Sequence, residues 1–235
     1  MNLINSQIQV GNYSIDVYLK NIKNMHLAVY PPTGRIRISA PIETDLERIR
    51  LFAISKLSWI KKHQQSFNEQ IRHPKSEFLT GESHFFLGKR YILNIFEKER
   101  GQYVKLRNKN HIDLYVKNID SFDNRKKLLI EWYRNEMKSL LPNLIHKWES
   151  VIGVNVQEWG VKKMKTRWGS CNVDARRVWI NLELIKKPVE LIEYVVVHEL
   201  VHLIEKGHGK RFYDLMSRYY PDWERCKKEL NRLPI

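Results

Sequence analysis

Apolar and polar residues alternate along four short segments near the start of the chain, as expected of half-buried β-strands. The segments are residues 8–10, 14–19, 27–30 and 35–39. Residues 31–34, with the sequence Pro-Pro-Thr-Gly, predict a hairpin turn between the last two segments. The apolar face of this hairpin would be formed by Ile36 and Ile38 opposite Leu27 and Val29. This part of the chain therefore predicts a small sheet.

The spacing of apolar residues changes after Pro41 from every second residue to every third or fourth, which is typical of a helix. The residues at this spacing are Leu46, Ile49, Ala53, Leu57 and Ile60. Thr44 followed by Glu47 predicts a capping box, in which each side chain bonds to the backbone of the other residue. We therefore expect one helix over residues 45–70.

A second strand-rich segment follows, and we expect it to form a meander, in which consecutive strands pair. Its strands are predicted over residues 83–87, 90–97, 103–107 and 111–116. Phe85, Phe86, Tyr91 and Phe96 lie on these strands. Aromatic residues on strands usually belong to a hydrophobic core, and we prefer that role for all four to a nucleic-acid-binding platform. No internal repeat is visible in the sequence.

The polar residues 117–123 are the best candidate for a domain boundary. Helical spacing of apolar residues then predicts a long helix over residues 125–149, which carries His146. A single histidine on a helix usually packs against its neighbours, and we do not expect His146 to bind a metal. The predicted domains are a β-rich region with one long helix, residues 1–120, and a catalytic metal-binding domain, residues 121–235.

Residues 154–206 are expected to form a small sheet followed by a buried helix. Strand patterns occur at residues 154–159, 163–168 and 177–184, and a turn at 169–172 would join the last two as a hairpin. Pro188 suits the first turn of a helix and Gly207 the position after its end, so the helix is predicted over residues 189–206. Two short amphipathic helices, 210–219 and 222–232, complete the chain. The predicted fold class is α+β.

The composition adds charge and cysteine content to this picture. The chain of 235 residues carries 41 Lys and Arg against 26 Asp and Glu, a formal net charge of +15. This charge would attract nucleic acid or another polyanion, although it is spread over short clusters, as on a solvated surface. Two distant cysteines, Cys171 and Cys226, and the lack of a signal peptide or a membrane-length apolar segment favour the cytoplasm.

The predicted helix 189–206 contains the sequence His198-Glu199-Leu200-Val201-His202. Residues four apart in a helix lie ~40° apart around its axis, so both histidines could bind one metal ion. Glu199 lies ~100° from His198, beside the ion, where its carboxylate could take a proton from a water bound to the metal. This arrangement is typical of a zinc hydrolase.

A catalytic zinc usually has three protein ligands and one open position, so a third ligand is needed. Two residues compete for this role. Glu205 lies on the same helical face as His198, but one turn beyond His202 and about 5 Å away along the axis. His208 follows Gly207, which allows the chain to reverse towards the ion. We favour His208, and Glu205 stays the alternative.

The histidine motif belongs to a longer pattern. Together with His208 and with Phe212 four residues later, it resembles the SprT-like zinc metallopeptidases. Their YgjP-like branch is similar also at Arg167-Trp168-Gly169-Ser170-Cys171, Ile180-Asn181-Leu182, Pro188 and Tyr194-Val195-Val196-Val197. This resemblance extends from the strand that ends at Ala40 and Pro41 to about Trp223, and it is strongest from residue 160 onward. The metzincins share the histidine spacing but have a glycine where this chain has Glu205, which argues against that group.

The resemblance implies a zincin-like catalytic domain that hydrolyses peptide bonds in a protein or peptide substrate. Zinc would be bound by His198, His202 and His208, and Glu199 would act as general base and then as general acid. The predicted hairpin 163–184 would offer the substrate an edge strand to lie on.

Three more residues, Arg167, Ser170 and Asn181, are candidates for contacts with the substrate or with the oxyanion. Residues 168–171 could equally be a packed turn. Two other functions stay open. One is a SprT-like protease that acts on proteins bound to nucleic acid, which the positive charge permits. The other is a zinc-binding protein without catalytic activity.

Overall fold

The strand pattern near the start of the chain does produce a four-stranded sheet. The computed structural model describes residues 6–30, 33–69, 76–119 and 121–232. The strands are β1 (Ser6–Val10), β2 (Tyr13–Lys20), β3 (His26–Tyr30) and β4 (Arg35–Pro41), in the order β1-β2-β4-β3. Leu27 pairs with Ile38 and Val29 with Ile36, which confirms the predicted hairpin register. The first two residues of the predicted turn, 31 and 32, lie outside the described residues.

Two helices follow this sheet where the sequence predicts one. They are α1 (Leu46–Ser55) and α2 (Leu57–Glu69), separated at Lys56, where the backbone leaves the helical conformation. Asp45 caps α1, because its side chain accepts a hydrogen bond of 2.7 Å from the backbone N–H of Arg48. The predicted capping box of Thr44 and Glu47 is therefore wrong, because the residue that caps the helix is Asp45 and not Thr44. The apolar helix face packs on the sheet in one core, which includes Ile15, Ile38, Ile49, Ala53 and Ile60.

A second four-stranded sheet is built from β5 (Ser83–Phe86), β6 (Lys89–Glu97), β7 (Tyr103–Arg107) and β8 (His111–Val116). Its order is β5-β6-β8-β7, with β6 and β8 parallel, so the predicted meander is wrong although the strands are confirmed. Phe86 and Tyr91 are in the core, as expected. Phe96 is 39% exposed and stacks on Tyr115, so its assignment to the core is also wrong.

The two four-stranded sheets have the same topology. In each, the outer strands are antiparallel to their neighbours, and the two central strands are parallel. The turn between the first two strands contains a glycine with positive φ in both cases, Gly11 at 57° and Gly88 at 79°. A long helical segment follows each sheet along the chain. The fold therefore contains an internal repeat that the sequence does not reveal.

The chain divides into two compact units, Met1–Ile71 and Arg72–Ile235. The boundary favoured by the sequence, between residues 120 and 121, lies within the second unit. The reason is that the second sheet shares one hydrophobic core with the elements that follow it, so that Leu114 and Val196 belong to the same cluster. None of the helices in the described ranges has the length and apolar character that a membrane span requires.

The elements after the second sheet begin with α3 (Phe122–Ile152), capped by Ser121 and ended by Gly153 in the left-handed conformation. A three-stranded sheet follows, made of β9 (Glu158–Lys162), β10 (Gly169–Asn172) and β11 (Arg177–Asn181) in the order β10-β11-β9. A 3-10 helix, Leu182–Lys186, leads to α4 (Val189–Val201), α5 (Lys210–Tyr219) and α6 (Trp223–Arg232).

The first strand of the hairpin before α4 is β10, and the strand predicted there over residues 163–168 is wrong. Residues 163–168 form an irregular segment, and the predicted turn 169–172 is itself the strand β10. The hairpin of β10 and β11 therefore turns at residues 173–176. The α+β fold class is confirmed, with the small sheet and the His-Glu-x-x-His helix expected of a zincin-like domain.

Candidate metal centre

Helix α4 carries the first two histidines of the motif. It is apolar on almost every side and buried among α3, the three-stranded sheet, α5 and α6. The helix ends at Val201, five residues before the predicted end at residue 206. His202 caps it with helical backbone angles, φ −61° and ψ −21°, so the one-turn spacing between His198 and His202 is retained.

The third histidine joins the first two. The candidate ligand atoms of His198, His202 and His208 all lie within 4.8 Å of one another. The Nε2 atoms of His198 and His208 are 3.0 Å apart. Ligand nitrogens at the usual 2.0–2.1 Å from a tetrahedral zinc lie ~3.3 Å from one another. The three imidazoles therefore fit a shared metal ion.

A short turn beyond α4 brings His208 back to the cluster. The backbone N–H groups of Ile204 and Glu205 both donate to the carbonyl of Val201, which closes this turn without extending the helix. The prediction that Gly207 directly follows the helix end is wrong, because α4 ends at Val201 and Gly207 does not adopt the positive φ typical of that position. Helix α5 begins directly after Gly209.

The ring of Phe212 contacts all three imidazoles. It is fully buried on α5, and its ring centroid lies 4.7–4.9 Å from those of His198, His202 and His208. Its place in the sequence resemblance therefore has a physical reason, because an apolar ring here fixes the ligand side chains and excludes water from one side of the site.

Glu205, the alternative ligand, is outside the cluster and takes a supporting position. Its backbone carbonyl lies 3.0 Å from Nδ1 of His202. A carbonyl only accepts hydrogen bonds, so Nδ1 carries the proton and Nε2 keeps the lone pair that a metal needs. The Glu205 carboxylate is near the backbone N–H of Gly207, at 3.4 Å, and the guanidinium of Arg211, at 3.7 Å.

The three imidazoles are held in the uncharged form. The pKa of His198 is lowered to about 3, mainly by burial and to a smaller extent by the neighbouring His202 and His208. Burial also lowers the pKa of His202 and that of His208. Neutral imidazoles are the form that binds a metal.

Glu199 lies beside the histidines with its side chain almost entirely enclosed. The residue is 5% exposed, and burial raises the pKa of its carboxyl group to about 8, against a smaller lowering effect of Arg167. A carboxylate can accept a proton and, once protonated, donate it again. Glu199 is therefore a candidate for the general acid and base.

A cleft of about 860 Å³ opens over the histidines and Glu199. One wall is formed by β10 and the residues next to it, from Arg167 to Asp174, and another by Lys227, Leu230 and Asn231 on α6. Strand β10 is at the edge of its sheet, so one side of its backbone is not paired with any strand that the structure describes. The cleft can therefore hold an extended chain beside the cluster.

Arg167 and Ser170 line this cleft, as the sequence suggests, but Asn181 does not. Asn181 is fully buried, and its side chain bonds to the backbone of Met164, Arg167 and Glu183. Every polar atom of this side chain is occupied by the segment that leads into β10. Asn181 is thus a structural residue, and its candidacy as a substrate or oxyanion contact is wrong.

Two other residues complete the outcome for the site. His146 is exposed on α3 and is outside the histidine cluster. Tyr194, one turn before His198 on α4, lines the cleft, and its ring lies 6.0 Å from that of His198. No role beyond the family resemblance was predicted for this tyrosine, because a tyrosine in an apolar helix has the pattern of a core residue.

Comparisons with known proteins match the chain to one family and match part of it to solved structures. No curated protein matches the chain. Two solved structures are similar to part of it, the metallopeptidase zymogens jannalysin of Methanocaldococcus jannaschii and abylysin of Pyrococcus abyssi. Jannalysin is 19% identical with a TM-score of 0.34, and the match covers 38% of this chain and 91% of jannalysin. For abylysin the identity is 16%, the TM-score 0.35, and the coverage 40% and 98%.

TM-scores as low as these support no conclusion about this chain. The model of the YgjP-like metallopeptidase domain, in contrast, matches residues 23–233, nearly the whole chain. The chain belongs to the YgjP-like metallopeptidase family.

Proposed function

We propose that this protein is a zinc-dependent peptidase in which His198, His202 and His208 bind the zinc and Glu199 is the general base. The observation that carries the proposal is the joint position of these four residues. Three imidazoles converge, and the buried carboxyl group of Glu199, the next residue after His198, lines the same cleft. In the described part of the chain no fourth ligand atom joins the cluster. An open fourth position is typical of catalytic zinc sites and argues against a purely structural one.

Zinc is the metal that the donor set favours, because imidazole nitrogens suit it and a site of three histidines needs no oxygen ligand. A zinc ion bound here would polarise the substrate carbonyl and lower the pKa of the attacking water. Glu199 accepts a proton from the attacking water on a carboxylate oxygen. It then donates this proton to the nitrogen of the leaving amine, so that its own charge is restored.

The substrate would lie along the free edge of β10. An extended peptide can add to such an edge through backbone hydrogen bonds, which do not depend on its sequence. Gly169 and Ser170 of this strand line the cleft next to Glu199. This placement would bring a scissile carbonyl to the histidine cluster.

The test uses the purified full chain with measured metal content. Chelation should remove both zinc and cleavage of an unfolded protein substrate, and one equivalent of zinc should restore cleavage. The variant H146A is a matched control, because His146 is exposed on α3 outside the cluster. Cleavage that persists in metal-free protein, or zinc that binds with no cleavage of any substrate, would contradict the proposal.

A protease that acts on proteins bound to nucleic acid is the second candidate. The net charge of +15 favours it, as do the exposed Lys163, Lys165 and Arg167 in the segment before β10. Added DNA should then accelerate cleavage, and the effect should fade with rising salt. No DNA binding at about 50 mM salt would exclude this candidate. A cytoplasmic location stays a prediction.

A further inference from the structure

One lysine that lines the cleft over the histidines has no acidic partner among the described residues. Three basic residues line the cleft, Arg167, Lys206 and Lys227. Lys206 forms an exposed ion pair of 3.2 Å with Asp174. Within the described residues, Lys227 forms no ion pair. The side chain of Lys227 therefore brings to the cleft a positive charge that no acidic residue of the described ranges pairs with.

Two aromatic rings fix the position of this ammonium group. The Nζ atom of Lys227 lies 4.9 Å from the ring centroid of Tyr213 and 5.4 Å from that of Trp223. It also lies 3.4 Å from the hydroxyl oxygen of Tyr213. The two rings stack on each other, with centroids 4.9 Å apart. Cation–π contacts hold the charge in place without neutralising it, so it stays available to an anion.

Lys227 lines the same cleft as the candidate metal ligands His198, His202 and His208. One turn further along α6, Asn231 lines the same cleft. A peptide bound along β10 would therefore have one side facing this wall of α6.

We propose that Lys227 is a specificity-determining residue, which binds a carboxylate group of the peptide substrate close to the scissile bond. This inference rests on the proposed peptidase function. In an unmodified peptide, the only groups that are anionic at neutral pH are Asp and Glu side chains and the terminal carboxylate. These sources share one chemistry, and either would pair with a fixed ammonium in a half-enclosed cleft.

The experiment compares one peptide in three forms. The first is neutral and amidated, the second has a single Glu scanned along the sequence and an amidated end, and the third is neutral with a free terminal carboxylate. The enzymes are zinc-loaded wild type, K227M and K227R, with K228M as the matched control. Lys228 is the next residue of the same helix and is exposed.

The measured quantity is the ratio of kcat/KM for a carboxylate-bearing peptide to that for the neutral peptide. We expect this ratio to fall about tenfold in K227M, through KM, because a charge-assisted hydrogen bond is lost. It should recover partly in K227R and stay unchanged in K228M. The peptide form that responds, internal Glu or free terminus, identifies the source of the carboxylate.

Two results would overturn the inference. One is an unchanged ratio in K227M. The other is an equal loss of kcat for all three peptides, which would indicate that Lys227 stabilises the transition state. Failure of the peptidase proposal looks different, since wild type would then cleave none of the peptides. In that case the binding of the three peptides to zinc-loaded E199Q still tests the inference. E199Q should bind the two carboxylate-bearing peptides more tightly than the neutral one. The double variant with E199Q and K227M should not show this preference.

Discussion

Gly169 of β10 lies directly against the carboxyl group of Glu199. A Cβ atom added at Gly169 would be 2.6 Å from Oε1 of Glu199 and 2.8 Å from its Cγ, closer than Cβ contacts in proteins. The strand proposed to carry the substrate can therefore approach the proposed general base only because residue 169 has no side chain. This contact fixes both the distance between strand and helix and the position of the carboxyl group.

The variant G169A should consequently lose activity. Either β10 or the Glu199 carboxyl must move, and we expect kcat to fall at least about tenfold, since a small misplacement of a catalytic group is costly. The unfolding free energy should fall by about 1–3 kcal/mol, as for other overpacked sites. G207A is the control, because its added Cβ would meet only Glu205 Oε1, at 3.9 Å. Equal activities of G169A and wild type would show that the contact does not position Glu199.

The third ligand can be tested by two variants at the end of α4. H208A should weaken zinc binding by at least about tenfold, because it removes an imidazole from the cluster. E205Q should leave the affinity close to that of wild type, because the contact with His202 uses the backbone of Glu205. Competition with a chromophoric chelator measures both. If E205Q weakens zinc binding as much as H208A does, the Glu205 carboxylate is a ligand after all.

Replacing Asn181 should lower the stability of the fold, because its side chain has a structural role and does not line the cleft. Its buried side chain joins three backbone positions, at Met164, Arg167 and Glu183. N181A leaves these groups without their partner, and we expect the unfolding free energy in urea to fall by about 2–4 kcal/mol. The segment 163–168 should also become more sensitive to limited proteolysis. A stability change below about 0.5 kcal/mol would contradict this role.

Asp113 in the second sheet predicts a pH dependence of stability. The residue is 2% exposed, and it accepts hydrogen bonds from Nε of Arg107 at 2.6 Å and Nδ2 of Asn94 at 3.0 Å. Burial alone would raise the pKa of Asp113, but these bonds outweigh it, and the pKa lies below its usual value. The ionised carboxylate therefore stabilises the fold above pH ~4, and this contribution is lost as the pH falls through the lowered pKa.

D113N should thus reduce the unfolding free energy by about 1–3 kcal/mol at pH 7. The difference from wild type should shrink as the pH falls below ~4. D174N is the control, because Asp174 is an exposed member of a surface ion pair, and such pairs contribute about 0–1 kcal/mol. Urea unfolding at several pH values measures both variants. An effect of D113N that is independent of pH would contradict the assignment.

The sequence predicts the metal site better than its surroundings. The spacing of His198 and His202 depends only on helix geometry, and the position of His208 requires only a short turn. The end of α4 was not predictable, because no Gly or Pro stands at residue 202, and the turn is closed by the carbonyl of Val201. Glu205 seemed to lie on the ligand face only because the helix was continued too far.

Long-range contacts explain the other differences. Gly169 belongs to a run of turn-forming residues, yet its actual role is the close approach to Glu199 in another element. The parallel pairing of β6 with β8 is a choice between strands that local patterns cannot make. The same holds for β2 and β4, so the repeat of one sheet topology became visible only in the structure.

The most direct test of the account is the peptidase activity of E199Q with verified zinc content. The variant keeps the size of the side chain and removes its ability to exchange a proton. We predict that E199Q retains one zinc per chain, as wild type should, and that kcat/KM falls at least about 10²-fold. Activity equal to that of wild type, at equal zinc content, would remove Glu199 from the mechanism and contradict the proposed function of this site.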